Sequence, residues 1–218
     1  MSQPGSQPAS VRGGPGGGQM RLIVAMTGAT GAPLGVRLLE ALHAMPEVTT
    51  HLIVSRWARA NIELETDHTV EQVLALADVV HSPADQAASI SSGSFLTDGM
   101  IVVPCSMKTL AGIRTGYADD LIGRAADVCL KERRRLLLVP RETPLNEVHL
   151  DNMLALSRMG VVIFPPVPAW YNRPATLDDA IDHLVGRMLD QFGLTPPKMR
   201  RWAGVKGMAR AGDDADEE

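Results

Sequence analysis

The strongest constraint on the fold is a set of short runs that are apolar through their length rather than at alternate positions: Arg21-Leu22-Ile23-Val24-Ala25-Met26, His51-Leu52-Ile53-Val54, Val79-Val80, Met100-Ile101-Val102-Val103, Leu136 to Val139, and Val161-Val162-Ile163. A strand that is apolar on both sides must be covered on both sides. Stretches of helical spacing separate most of the runs, the first marked by Leu34, Leu38, Leu39 and Leu42. Strands alternating with helices imply a parallel sheet, and right-handed crossovers make it a doubly wound, three-layer α/β fold. Ligands of such sheets bind beyond the carboxyl ends of the strands. The chemistry is therefore expected in residues 27–31, Ser55, and residues 91–97, 104–109, 140–144 and 165–174.

Composition narrows the class. The chain has 218 residues and is 45% hydrophobic, enough apolar material for one core, so a single domain over residues 20–202 is expected. Residues 1–19 are dominated by Gly, Ser, Pro and Gln and read as a disordered leader. Residues 203–218 read as a flexible acidic tail, because Asp213, Asp214, Asp216, Glu217 and Glu218 crowd the last six positions. Without that tail the formal charge of -4 falls close to neutral, which gives no basis for a nucleic-acid surface. No apolar run is long enough to span a membrane. Cys105 and Cys129 sit in no disulfide or zinc-ligand spacing, so a reducing, cytoplasmic setting is expected.

The motifs divide into those with a geometric explanation and those without. Gly28-Ala29-Thr30-Gly31 turns the first strand into a helix; it can offer backbone N–H groups to a phosphate or serve the turn alone. Neither G-x-G-x-x-G nor a Walker A sequence is present. Ser106 and Thr109 stand one turn apart at a helix start, to cap it or to hold a ring. Lys131, Arg133, Arg134 and Arg135 read as a solvated helix end. Arg141-Glu142 has a sharper meaning: a strand end that sets a cation beside a carboxylate combines an anion clamp with an acid/base group. Asp178, Asp179 and Asp182 match a magnesium-binding D-D-x-x-D pattern, but Thr176 is a ready N-cap, and acidic residues belong in a first helical turn. The six histidines show neither metal spacing nor a nucleophile partner and read as surface or packing residues. Chemistry carried by a cofactor fits better than a hydrolytic triad.

Several long stretches in one order, MTGATGAPLGVRLLEAL, SSGSFLTDGMIVVPCSMKTLAGI, RAADVCLKERRRLLLVPRETPL, HLDNMLALSRMGVVIFPPVPAWY and DDAIDHLVGRMLDQFGL, resemble the UbiX-type flavin prenyltransferases over residues 20–202. The resemblance implies a Rossmann-like, flavoprotein-type subunit that binds FMN, assembles as a dodecamer with active sites between subunits, and attaches a dimethylallyl group to N5 and C6 of reduced FMN. The resemblance further implies that the donor is dimethylallyl phosphate, that no metal is needed, and that the prenylated flavin serves UbiD-type decarboxylases. By position, the resemblance implies that Gly28, Ala29, Thr30, Ser55, Ser106, Met107, Lys108, Thr109 and Arg141 contact the flavin. Lys131, Tyr171 and Arg187 hold the prenyl phosphate, with Arg124 and Glu142 nearby. Glu65 and Thr30 match active-site positions, and Trp202 matches an aromatic lying over the site. Thr30 stands where relatives often carry serine.

The residue types suit that chemistry. Breaking an allylic C–O bond yields an anion and a delocalised cation, which call for Lys131, Arg187 and Tyr171 on one side and aromatic walls on the other. The C6 proton goes to a carboxylate such as Glu142 or to the departed phosphate. Two other readings compete: an FMN-dependent decarboxylase of the phosphopantothenoylcysteine type, whose histidine and asparagine motifs are not recognisable here, and a non-catalytic FMN carrier, which has no use for a second anion site.

Overall fold

In the computed structural model, which describes residues 19–195 and 201, six parallel strands form one sheet in the order β3-β2-β1-β4-β5-β6. They are β1 (Met20–Met26), β2 (Val48–Val54), β3 (Val79–His81), β4 (Gly99–Cys105), β5 (Arg135–Pro140) and β6 (Val162–Ile163). All six expected strands are present, lengthened or shortened by a few residues at their ends. The main helices are α1 (Ala32–His43), α2 (Arg56–Glu65), α3 (Val70–Leu74), α4 (Met107–Thr115), α5 (Leu121–Lys131), α6 (Glu147–Arg158) and α7 (Leu177–Asp190).

The continuous apolar runs are explained by two cores, one on each face of the sheet. Leu22, Val24 and Met26 of β1 pack with α1 and α7, whereas Ile23 and Ala25 join α4, α5 and α6 on the opposite face. Leu137 and Val139 against Leu136 and Leu138 repeat the division in β5. The expected stripe of α1, Leu34, Leu38, Leu39 and Leu42, is buried throughout. None of the described helices is long and apolar enough to cross a membrane.

Strand order reverses between β1 and β4, so their carboxyl ends open a crevice at the switch point. Thr27 ties the two ends together: its hydroxyl donates to the Pro104 carbonyl and accepts from the Ser106 N–H, each at 2.8 Å. Ser55, residues 104–109 and Arg141 gather at this edge, as the sequence suggests. Residues 91–97 do not. They lead into β4 from the amino edge, where the Asp98 N–H donates to the Arg21 carbonyl at the start of β1. The segment is expected among the carboxyl-end loops, but it immediately precedes β4, and a parallel strand is always entered from its amino end. The basic run needs a second correction. Arg134 donates to the carbonyls of Gly93 and Phe95, and Arg135 to that of Gln191, so these arginines fasten loops at the amino edge instead of ending a helix in solvent.

Candidate functional site

Around the crevice, the turn after β1 is shaped by two glycines for two reasons. Gly31 is the N-cap of α1 at φ +109°, a backbone region that L side chains rarely adopt. A Cβ on Gly28 would lie 2.5 Å from the Trp57 Cβ, so the absence of a side chain lets the first turn of α2 back onto the β1 turn. Ala29 is held from the other side by Asn61, whose amide donates to its carbonyl at 2.8 Å. Thr30 stays exposed at the rim.

The α1 N-terminus already has its anion. Both the Gly31 and Ala32 N–H groups donate to one Glu65 carboxylate oxygen, at 2.7 and 2.9 Å. A carboxylate on the positive end of a helix satisfies two otherwise unpaired donors and opposes the dipole. In this structure Glu65 therefore occupies the donors that the sequence could offer to a phosphate. Glu65→Ala is expected to lower Tm by about 3–6 °C and Glu65→Gln by about half as much, since the amide keeps an acceptor but loses the charge. Thermal unfolding of the two variants beside the parent checks this, and equal melting temperatures would refute the contact.

Two other helices start at the same edge of the sheet, each behind a serine cap. Ser55 caps α2 by accepting from the Ala58 N–H, and Ser106 caps α4 by accepting from the Thr109 N–H while meeting the Thr109 hydroxyl at 3.1 Å. Each cap takes the third first-turn donor. The earlier ones, on Met107 and Lys108 in α4, have no acceptor within the helix and point outward. Lys108 is exposed and pairs loosely with Asp119 at 3.7 Å. Beyond β5, Arg141 and Glu142 are both exposed at this edge, and the Thr143 N–H donates to the Glu142 carboxylate at 3.1 Å.

The residues matched to the prenyl phosphate lie elsewhere in the protomer. Lys131 ends α5 just before β5 begins, so it sits at the amino edge, paired with Glu132. Arg124, earlier on that helix, donates to the Ser91 carbonyl at 3.0 Å and pairs with Asp127 at 2.8 Å. Arg187 is in the last turn of α7, also towards the amino edge, because Arg135 at the start of β5 donates to Gln191 just beyond that helix. A strand of seven residues such as β1 spans roughly 20 Å. One protomer therefore brings the flavin-matched residues together at one edge and leaves Lys131 and Arg187 near the other.

Tyr171 belongs with Arg187. Its hydroxyl lies 3.1 Å from His183 Nε2, with the rings edge to face, and His183 precedes Arg187 by one turn of α7. Burial, reinforced by the Arg187 charge, holds the His183 pKa below the usual histidine value. Arg187 lies 3.8 Å from Asp190, which also takes a two-pronged pair from Arg201 at 2.7 and 3.0 Å. Trp202 lies outside the described residues, as do residues 1–18 and 203–218.

Two features were missed in the sequence. Trp57 borders the crevice, and its only sequence signal is a large aromatic two positions beyond Ser55, which follows the second strand. His183 was read as a packing residue, although its spacing from Arg187 puts both on one helical face. The acidic pattern resolves as expected: the Thr176 hydroxyl accepts from the Asp179 N–H, Asp179 accepts in return, and Asp182 pairs with Arg37 at 2.9 Å. Cys105 and Cys129 are buried free thiols whose pKa desolvation pushes up to about 12, too high for nucleophilic use.

The Flavoprotein family model matches residues 17–188. A probable UbiX-like flavin prenyltransferase from Streptomyces sp. (strain D7) is 68% identical over 88% of this chain and 96% of its own length. Among solved structures, a dodecameric FMN-dependent UbiX-like decarboxylase from Escherichia coli O157:H7 superposes with a TM-score of 0.84 at 69% identity, over 85% of this chain and 100% of the other. AnUbiX (PadA1), in complex with FMN and dimethylallyl pyrophosphate, does so with a TM-score of 0.84 at 60% identity, over 85% and 98%.

Proposed function

Because the chain belongs to the Flavoprotein family and, within it, to the UbiX-like flavin prenyltransferases, we propose that it joins a dimethylallyl group from dimethylallyl phosphate to N5 and C6 of reduced FMN. The prenylated flavin then passes to a UbiD-type decarboxylase. The observation that carries this reading is the likeness along nearly the whole chain to UbiX-like flavin prenyltransferases, 68% identical over 88% of this chain; Tyr171, Arg187, Lys131 and Arg124 are the residues that the reading assigns to the donor phosphate.

The crevice suits FMN. Capped helix starts at Ser55 and Ser106 favour the flavin phosphate, and the β1 turn with Ala29 and Thr30, residues 106–109 and Arg141 offers the donors a ring edge needs. Reduced FMN, when bound, supplies the nucleophilic atoms. The protein's own task is then to hold the donor phosphate as negative charge builds on it, which falls to Arg187, Lys131 and Arg124 with the Tyr171 hydroxyl. Those cations provide the charge that a divalent metal would otherwise bring, so turnover is expected without Mg²⁺. Glu142 accepts the proton lost from C6, and Trp202 covers the site.

The separation within one protomer supports an active site shared between copies, with Lys131 and Arg187 reaching the crevice of neighbouring subunits in a homododecamer like that of the Escherichia coli relative. A cytoplasmic location accords with the buried free thiols.

Mass spectrometry of flavin released after anaerobic incubation with reduced FMN and dimethylallyl phosphate, without Mg²⁺, tests the assignment. The expected product is heavier than FMN by one five-carbon unit. Unchanged FMN from folded, assembled protein would overturn it, and carbon dioxide release from a carboxylated thiol substrate would favour the decarboxylase reading instead.

A further inference from the structure

We propose that His183 is a positioning residue for the prenyl donor: it donates from Nε2–H to the Tyr171 hydroxyl oxygen and so commits that phenol to donate its own proton to the donor phosphate. The inference rests on Tyr171 being a phosphate contact.

Geometry carries the proposal. His183 is only 7% exposed, and its Nε2 lies 3.1 Å from the Tyr171 oxygen. Its other ring nitrogen, Nδ1, is buried and meets no hydrogen-bond partner among the described residues. A neutral imidazole carries one proton, which can sit on either nitrogen. On Nδ1 it would be an orphaned buried N–H, among the rarest of unsatisfied groups; on Nε2 it has an acceptor 3.1 Å away. Nε2–H is therefore the favoured tautomer. A phenol oxygen that receives a hydrogen bond is the better donor, because hydrogen bonds in a chain polarise one another.

The electrostatics agree with a neutral ring. Burial first, and Arg187 second, hold the His183 pKa below its usual value, while Asp190 opposes them more weakly. Two neighbours on one helical face thus have distinct duties: Arg187 supplies charge, and His183 supplies direction through Tyr171.

Steady-state kinetics of Tyr171→Phe, His183→Phe, His183→Gln and the double variant Tyr171→Phe/His183→Phe test this, with FMN binding measured in parallel. His183→Phe is expected to raise KM for dimethylallyl phosphate about five- to tenfold, with FMN affinity unchanged and a smaller effect on kcat. In the Tyr171→Phe background the same change should add nothing, and His183→Gln, whose side-chain amide retains an N–H donor, should recover most of the loss. An undiminished effect of His183→Phe in the Tyr171→Phe background, or no effect in the parent, would overturn the role of His183. A normal donor KM in Tyr171→Phe would instead overturn the reading of Tyr171 itself. Long-range ¹⁵N–¹H correlation spectra of ¹⁵N-histidine-labelled protein, assigned by His183→Gln, supply a test independent of turnover. The Nε2–H pattern is expected, and an Nδ1–H pattern would overturn the proposal.

Discussion

Arg187→Ala is expected to bind FMN as the parent does and to prenylate it tens of times more slowly at subsaturating donor. On the proposed reading, the substitution removes a guanidinium from the leaving phosphate. A charge-assisted hydrogen bond of that kind is worth about 1.5–3 kcal/mol in the ground state, and more where charge develops as the C–O bond breaks. The fold should survive. Asp190, the partner of Arg187 at 3.8 Å, keeps its two-pronged contact with Arg201, so no buried charge is stranded. Flavin absorbance after gel filtration measures binding, and mass spectrometry of the released flavin measures turnover. Loss of FMN would mean that Arg187 serves the other phosphate, and near-parental turnover would reduce it to a helix-end ion pair.

The second prediction concerns two residues that one protomer keeps apart. Glu142→Gln should retain FMN, lose most prenylation and resist rescue by excess donor, because it removes a proton acceptor and not only affinity. Lys131→Ala should lose donor affinity at little cost in stability, since its pair with Glu132 is exposed and local. If each site draws Glu142 and Lys131 from different copies, co-assembling the two inactive variants in equal amounts restores both groups in about a quarter of sites. Turnover in the mixed oligomer, compared with the separate variants mixed without subunit exchange, reads this directly. No recovery in verified mixed oligomers would place both residues in one subunit's site and refute the shared arrangement.

Between those two edges of the sheet lies the difference between what was legible in the sequence and what was not. The central strands could be read to within a few residues because each is apolar on both faces, a pattern that burial between two layers explains; the edge strand β3, with Val79 and Val80 exposed, carries the weakest signal. Two caps could be read for a similar reason: Ser106 and Thr176 each accept from an N–H three residues on, and such contacts are fixed by local spacing; Ser55 caps α2 in the same way but was read only as a loop residue. The rejection of Asp178, Asp179 and Asp182 as a metal motif rested on the same short range.

Longer reach brought the surprises. Nothing in residues 91–97 tells which end of the sheet they occupy, because that depends on the path from the edge strand. Glu65 is more than thirty positions from the α1 N–H groups it satisfies, and only the packing of α2 beside α1 brings it there. Arg134 resembles an ordinary surface cation until its carbonyl partners close around it. The sequence by itself determined the sheet, its covering layers, the helix starts and the family. The tertiary structure alone decided which anion sits on α1, that His183 stands behind Tyr171, and that Lys131 lies at the edge of the sheet opposite to the turn after β1. The physical reason is range: periodicity and capping are written in neighbours, whereas a site's charge balance is set by groups that only folding, and then assembly, bring into contact.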